Sequence, residues 1–340
     1  MALDPKNLSV IVQGPVTPYT RDALVRIRTH FSGSELILST WEGSDTSGLT
    51  FDKLIMSHDP GAVACEVGGR TLNNINRQLV STNAGLCAAS RDFALKTRSD
   101  ILFKSGKILN YLGMFPKRNP EWCFLRDRVI VNSVFSRVCF YVGKKKTPCL
   151  FHPSDWIFLG LTADIRDIFD VPLTAEPGFS NYFESVSKDD FLDPYPELMI
   201  RFAPEQYIWY AFLQKYVQFE WSHRFHCTPL LEHISEQSLV NNLIVLDLRQ
   251  TDMYFPKYPI EYEETMCNFD FGTLYSHNLF RMQYKRFCDP RYKYIPTYTS
   301  FITLPRILFH LWQRFSPYTF SLARNGFRRL RGFPLVPRSR

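Results

Sequence analysis

The chain has 340 residues, 45% hydrophobic and 15% aromatic, which is enough apolar surface for a large core and excludes an intrinsically disordered protein. Its eight cysteines form no Cys-x-x-Cys pair and no zinc-finger spacing with histidine, and Met1-Ala2-Leu3-Asp4-Pro5-Lys6 lacks the regions of a secretion signal, so a cytoplasmic setting with reduced thiols is expected. The formal charge of +7 lies wholly in residues 301–340, which hold eight arginines and no acid, leaving the first 300 residues at about −1.

Leu8-Ser9-Val10-Ile11-Val12-Gln13 is a β-branched apolar run stopped by Gly14-Pro15, the pattern of a buried strand ended by a turn. Thr17 or Thr20 suits the cap of a following helix, in which Leu24, Ile27 and Phe31 recur at helical spacing. Strands are expected at 35–40, ending in Trp41-Glu42-Gly43, and at 53–57, ending in His58-Asp59-Pro60-Gly61. A helix is predicted over 73–90, with Ile75, Leu79, Leu86 and Ala89 on one side. Residues 92–100 are expected to lead from a helix end into a strand carrying Arg98 and Asp100. Beyond residue 110 the pattern weakens, with strand character over 129–142, a basic loop at 144–146 and an apolar run at 151–160 enclosing one carboxylate, Asp155. A helix is predicted from Pro204 to about Tyr216, with Pro204 and Glu205 in favourable first-turn positions. Strands alternating with helices indicate an α/β fold with a Rossmann-type, mostly parallel sheet flanked by helices. No linker is evident before residue 300, which points to one elaborated domain followed by a basic aromatic C-terminal tail.

The polar residues gather where these strands stop: Gln13-Gly14-Pro15, Thr40-Trp41-Glu42, His58-Asp59-Pro60 and Arg98-Ser99-Asp100. Right-handed crossovers bring such ends to one edge of the sheet, where open α/β folds bind ligands. Neither Gly-x-x-x-x-Gly-Lys-Ser/Thr nor Gly-x-Gly-x-x-Gly occurs, which disfavours an ordinary NTPase or a dinucleotide enzyme. A nucleotide diphosphate can instead be held through Mg²⁺ or Mn²⁺ on a carboxylate, and Asp100 is the natural ligand. Arg77, Lys96 and Arg98 offer the positive charge a pyrophosphate needs. Arg98 and Asp100 equally suit a local ion pair with no ligand.

Residues 301–340 mix arginines with aromatics and are interrupted by Pro305 and Pro317, and no apolar run reaches the roughly 18–20 residues of a spanning helix. This composition suits peripheral attachment to an anionic membrane surface. A basic, partly disordered terminus is the plainer alternative, and no motif supports a nucleic-acid partner.

Residues 10–16 (VIVQGPV), 35–43 (ELILSTWEG), Asp52-Lys53-Leu54-Ile55 with Asp59-Pro60-Gly61, 73–82 (NNINRQLVST) and Lys96-Thr97-Arg98-Ser99-Asp100 resemble the WavE family of lipopolysaccharide-synthesis proteins. Ser154-Asp155-Trp156, Pro204-Glu205-Gln206-Tyr207, and Ser235-Glu236 with Asn241-Asn242 extend the resemblance to about residue 258. It implies a GT-A-like glycosyltransferase with a nucleotide-sugar-binding half over 1–110 and an acceptor half over 111–300; the basic aromatic tail over 301–340 is then expected to hold it at the cytoplasmic face of the inner membrane. It also implies that Gln13, Gly14, Pro15, Thr40, Trp41, Glu42 and Asp59 line the nucleotide pocket, with Asn74, Arg77, Gln78 and Ser81 facing it from the helix. In such enzymes a divalent cation sits at an Asp-x-Asp motif. Here Arg98 occupies the first position, so Asp100 either holds a phosphate-bridged metal alone or shares the metal's work with a basic residue.

Transfer with inversion needs a carboxylate to accept the proton of the incoming sugar hydroxyl. Asp155 and Glu205 are the candidates, and Trp156 is a candidate platform for a sugar face. Glu205 also fits simple helix capping, and His223 and His226 are weaker candidates for a late metal site. The expected reaction is sugar transfer from a nucleotide-sugar donor to a glycolipid or oligosaccharide acceptor. A non-catalytic assembly protein on the same scaffold, or a cytidine-nucleotide-dependent sialyl or polyol-phosphate transferase, is the alternative.

Overall fold

Leu8–Gln13 (β1) and Glu35–Trp41 (β2) are buried at every position, as strands covered by helices on both faces must be. They belong to a computed structural model that describes residues 3–65, 71–142, 145–184, 200–257, 273–295, 308–309, 311–312 and 314–330. Helix α1 (Thr20–His30) joins them, and β3 (Lys53–Ser57), β4 (Val63–Cys65), β5 (Thr71–Asn73), α2 (Ile75–Ala88), β6 (Phe93–Arg98) and β7 (Leu102–Phe103) follow. The second part comprises β8 (Val129–Asn132), β9 (Arg137–Val142), β10 (Lys145–Pro148), β11 (Phe158–Leu161), α3 (Thr162–Phe169), α4 (Pro204–Leu213) and α5 (Pro229–Asn242). It continues with β12 (Leu243–Leu246), α6 (Leu248–Thr251), β13 (Met253–Tyr254), β14 (Thr273–Leu274), α7 (His277–Phe287) and α8 (Pro317–Leu330).

Seven strands form the central sheet in the order β12-β8-β11-β6-β1-β2-β3. All run parallel except β11, which is antiparallel to both its neighbours. This is the mostly parallel Rossmann-like α/β architecture expected of a GT-A fold. The chain steps from β1 outward to β2 and β3, then returns to place β6 on the other side of β1. That reversal opens a crevice at the carboxyl ends of β1 and β6, the usual ligand position in such sheets. Because β11 runs the other way, the residues just before it, Asp155 and Trp156, arrive at the same edge.

Helix α2 roofs this edge and is drawn close by Gly85. A Cβ there would stand 2.4 Å from Ile11 Cγ2 and 3.1 Å from Ser39 Cβ, so only glycine lets the helix lie directly on β1 and β2. At the opposite edge the buried Glu35 accepts from the hydroxyls of Ser9 (2.5 Å) and Ser90 (2.8 Å) and pairs with Lys53 at 2.7 Å. It ties the strand starts together.

Several local expectations differ from the structure. Helix α1 is preceded by Tyr19 without a side-chain cap; the Thr20 hydroxyl instead accepts from the Thr17 backbone N–H at 2.8 Å. Helix α2 is shorter than 73–90 because Asn73 belongs to β5 and its side chain accepts from Ile75 N–H at 2.8 Å. The strand predicted over 129–142 is two strands in different sheets, β9 joining β10 and β14, since a turn at Phe135, with φ of 66°, divides them. In the expected basic loop, Lys145 and Lys146 open β10, paired with Val142 and Tyr141, and Lys144 lies outside the described residues.

In the tail, residues 301–307, 310, 313 and 331–340 lie outside the described residues. Helix α8 buries Phe320, Ser321, Arg324 and Arg328 along one side, so two of the arginines expected at the surface are inside. Trp312, Phe315 and Tyr318 are exposed, Phe315 at 77%. No helix among the described residues is long and apolar enough to cross a membrane.

Candidate functional site

A cleft of about 240 Å³ lies at the β1/β6 edge, lined by Gln13, Gly14, Pro15, Trp41, Asn74, Arg77, Gln78, Ser81, Arg98, Ser99, Asp100, Asp155 and Lys257. The turn after β1 forms its floor. Gly14 N–H donates to Ser39 O at 3.0 Å and Ser99 N–H to Gln13 O at 2.9 Å, while the Ser99 hydroxyl donates to Pro15 O at 2.6 Å. Gly14 has φ of 111°, a conformation that glycine adopts without steric cost. The Gln13 side chain accepts from the Ser81 hydroxyl at 2.7 Å, fixing the floor to α2.

Arg77 forms one wall. Its Nε and Nη2 donate to the two Asp59 oxygens at 2.8 and 2.7 Å, and Nη1 donates to Asn74 Oδ1 at 3.2 Å. The guanidinium also lies over the Trp41 ring, 5.4 Å from its centroid. Burial raises the Asp59 carboxyl, but the Arg77 and Gly61 hydrogen bonds outweigh it and hold the group below the usual carboxylate range. Asp59 therefore serves the cleft from outside, by aiming Arg77.

Opposite stands a three-member ion cluster. Arg98 grips Asp100 with Nε and Nη2, each at 2.9 Å, and Lys257 Nζ reaches Asp100 Oδ2 at 2.7 Å. Asp100 is 3% exposed. Burial raises its carboxyl, and the two cations more than reverse that, holding it below the usual carboxylate range. The Arg98 guanidinium lies 5.2 Å from the Trp156 centroid and 5.5 Å from that of Phe255. Trp156 is buried among Phe135, Phe255 and Arg98, so it supports Arg98 and is no platform for a sugar.

The divalent cation expected at Asp100 does not fit this donor set. Both carboxylate oxygens already accept from N–H donors of two cations, so a metal there would either stand against the charges of a guanidinium and an ammonium or have to displace them. Among the described residues no group of three or more His, Cys, Asp or Glu side chains is placed to hold a metal ion. His223 and His226 lie 6.2 Å apart by ring centroids, His223 sits against Phe183 and Phe225, and burial lowers His223 to about 4.

Asp155 enters the cleft from the segment before β11, held by its own carbonyl, which accepts from the buried Lys96 ammonium and from Gln78 Nε2 at 3.3 Å. Lys96 faces inward because it lies directly across from Ile11, with its ammonium over Phe158 and Phe169. Complete burial lowers it to about 8, against the pull of Asp155. Behind Asp155 is Glu205, at the start of α4. The residue as a whole is half-buried, and enclosure of its carboxyl by protein, reinforced by the charge of Asp155, raises it to about 8.

Sixteen positions were expected at the site, and the structure gathers eleven of them on the cleft: Gln13, Gly14, Pro15, Trp41, Asn74, Arg77, Gln78, Ser81, Arg98, Asp100 and Asp155. Lys96, Asp59 and Glu205 stand behind it. Thr40 and Glu42 lie elsewhere. Ser39 faces α2 through its hydroxyl bond to Ser81 O, so by strand alternation Trp41 shares that face and Thr40 takes the other. Glu42 is in solvent, 3.8 Å from His58. Lys257 was missed; β13 pairs antiparallel with β7, Tyr254 opposite Leu102, which leads the chain back past Asp100. A larger cavity of about 320 Å³ opens at the opposite edge, beside Phe93 and Leu161. Its arginines serve the scaffold, Arg118 and Arg128 donating to Asn241 O and Val240 O at 2.7 and 3.1 Å.

A family model described as WavE lipopolysaccharide synthesis matches residues 8–308. The match spans nearly the whole chain, and the chain belongs to this family. Among curated proteins none matches the chain.

The raised carboxyl of Glu205 has a thermodynamic signature. Between about pH 4.5 and pH 8 the folded chain keeps a proton that the unfolded chain has released, so this group makes stability fall as pH rises through that window. Glu205→Gln removes the effect. The melting temperature of the variant relative to the wild type should climb from about pH 5 to about pH 8, measured by thermal unfolding; parallel curves would show an ordinary carboxyl.

Proposed function

We propose that this member of a lipopolysaccharide-synthesis family is a glycosyltransferase that moves a sugar from a nucleoside diphosphate donor to a glycan or glycolipid acceptor. The observation that carries this reading is the convergence of Arg77, Arg98 and Lys257 with one further carboxylate, Asp155, in a single cleft at the sheet's switch point. Three cations suit a diphosphate, and Asp155 stands on the same cleft with its backbone fixed by Lys96 and Gln78.

In a single displacement the acceptor oxygen forms a bond to the anomeric carbon while the bond from that carbon to the phosphate oxygen breaks. The bonding pair leaves on the phosphate, and the acceptor's proton passes to Asp155. The developing charge on the leaving diphosphate falls among the cationic side chains, where preorganised donors act most strongly. Glu205, with its carboxyl raised to about 8, holds a proton behind Asp155 at neutral pH, so no second negative charge forms there to oppose the departing group.

The acceptor is proposed to reach the site at a membrane surface, with the tail lying in the headgroup layer. Exposed Trp312, Phe315, Tyr318 and Leu330, with Arg314 and Arg329 also at the surface, support this. Removing residues 301–340 should abolish co-sedimentation with anionic liposomes; unchanged binding would refute the attachment.

The catalytic reading is tested with uridine, guanosine and cytidine diphosphate sugars. One donor should raise the melting temperature, by about 2.7 kcal/mol of stabilisation at a hundredfold excess over Kd, and should be hydrolysed slowly. Asp155→Asn should retain the thermal shift and lose about 10²–10⁴-fold in hydrolysis. A panel in which no donor shifts the melting temperature sinks the proposal.

A further inference from the structure

We infer that Arg98 and Lys257, aimed by Asp100, take the place of a divalent cation in neutralising the donor diphosphate, so that donor binding needs no metal. This rests on the glycosyltransferase reading and goes beyond it by assigning what holds the phosphates. The geometry around Asp100 carries it. The bidentate pair to Arg98 at 2.9 Å and the 2.7 Å contact to Lys257 use both carboxylate oxygens, leaving that group as a holder of cations and not of a metal.

The two cations are held differently. Arg98 is one-third exposed and rests against the contacting pair Trp156 and Phe255, and its bidentate bond to Asp100 sets the plane of its guanidinium. Lys257 is 42% exposed and rests near Phe255, 5.8 Å from the ring centroid. A planar fork in a fixed place and a compact ammonium with rotatable donors offer what a metal would otherwise supply, an orienting contact and a concentrated charge. Arg77, locked to Asp59 across the cleft, adds a third cation from the opposite wall. Arg98 therefore fills the position where an acidic motif would put a metal ligand, and it brings the charge directly.

Asp100 is a positioning residue on this account. Its negative charge partly offsets the two cations when the cleft is empty, and its burial requires them to stay. A diphosphate entering the cleft meets donors that are already ordered, which lowers the cost of binding.

The test is calorimetric titration of the full chain with uridine, guanosine and cytidine diphosphates, in buffer with EDTA and in buffer with Mn²⁺. One nucleotide should bind with the same affinity, within about threefold, in both buffers. Lys257→Ala should weaken it roughly tenfold to a hundredfold, the loss of one hydrogen bond to a charged group. Lys257→Arg should restore most of that; Lys257→Ala also takes one of two cations from the buried Asp100 and should lower the melting temperature without ligand, so both variants are titrated at a temperature where circular dichroism shows them folded. Binding that appears only with Mn²⁺, or that survives Lys257→Ala unchanged, overturns this inference and leaves the transferase reading standing. Absence of binding in both buffers overturns both.

Discussion

A carboxylate buried to 3% exposure at the end of a parallel strand must be matched by positive charge, and at Asp100 that requirement organises the cleft. It draws Arg98 back along its own strand end and Lys257 in from the far part of the chain. Arg98 in turn needs a flat surface, which Trp156 and Phe255 provide. Trp156 is adjacent to Asp155, so the packing that steadies the guanidinium also fixes the approach of the proposed base. One ion cluster thus links the cationic wall of the cleft, the aromatic layer beneath it and the segment that carries Asp155.

A second, buried layer sits under the first. Lys96 has no outlet to solvent and donates to the carbonyl of Asp155, while Glu205 is close enough to Asp155 and Lys96 to feel both charges. Lys96 and Glu205 both have their charged forms opposed by burial, each arriving at about 8 from opposite directions. Such divergence from ordinary values, produced by desolvation next to a charged partner, is typical of functional sites. The ion pair of Glu35 with Lys53 at the other edge of the sheet ties strands together and lies apart from this cleft.

Much of the first half was legible in the sequence. Leu8–Gln13 and Glu35–Trp41 are continuous apolar runs stopped by turn residues, and in a parallel sheet that pattern defines both the strand and the edge at which its polar end emerges. Strand alternation would also have set Thr40 apart from Trp41, since residues one apart point to opposite faces. Lys257 was not legible. It reaches the cleft through a two-residue pairing of β13 with β7, across 157 positions from Asp100, in a region where periodicity is weak. The only local sign was a lysine following Tyr254-Phe255-Pro256. Trp156 was misread because the sequence does not reveal that a guanidinium already covers its face. The arginine-rich tail misled in the same way, since Arg324 and Arg328 lie one and two turns past Phe320 on the buried side of α8.

The central claim is that this cleft holds a diphosphate through side-chain cations. It is tested most directly by a crystal structure of the chain with a nucleoside diphosphate and Mn²⁺, using the anomalous signal of manganese to locate the ion. The account predicts phosphate oxygens within hydrogen-bond distance of Arg98 and Lys257, with no manganese peak at Asp100. A manganese ion coordinated by Asp100 and bridging the phosphates, with Arg98 and Lys257 turned away, would contradict it.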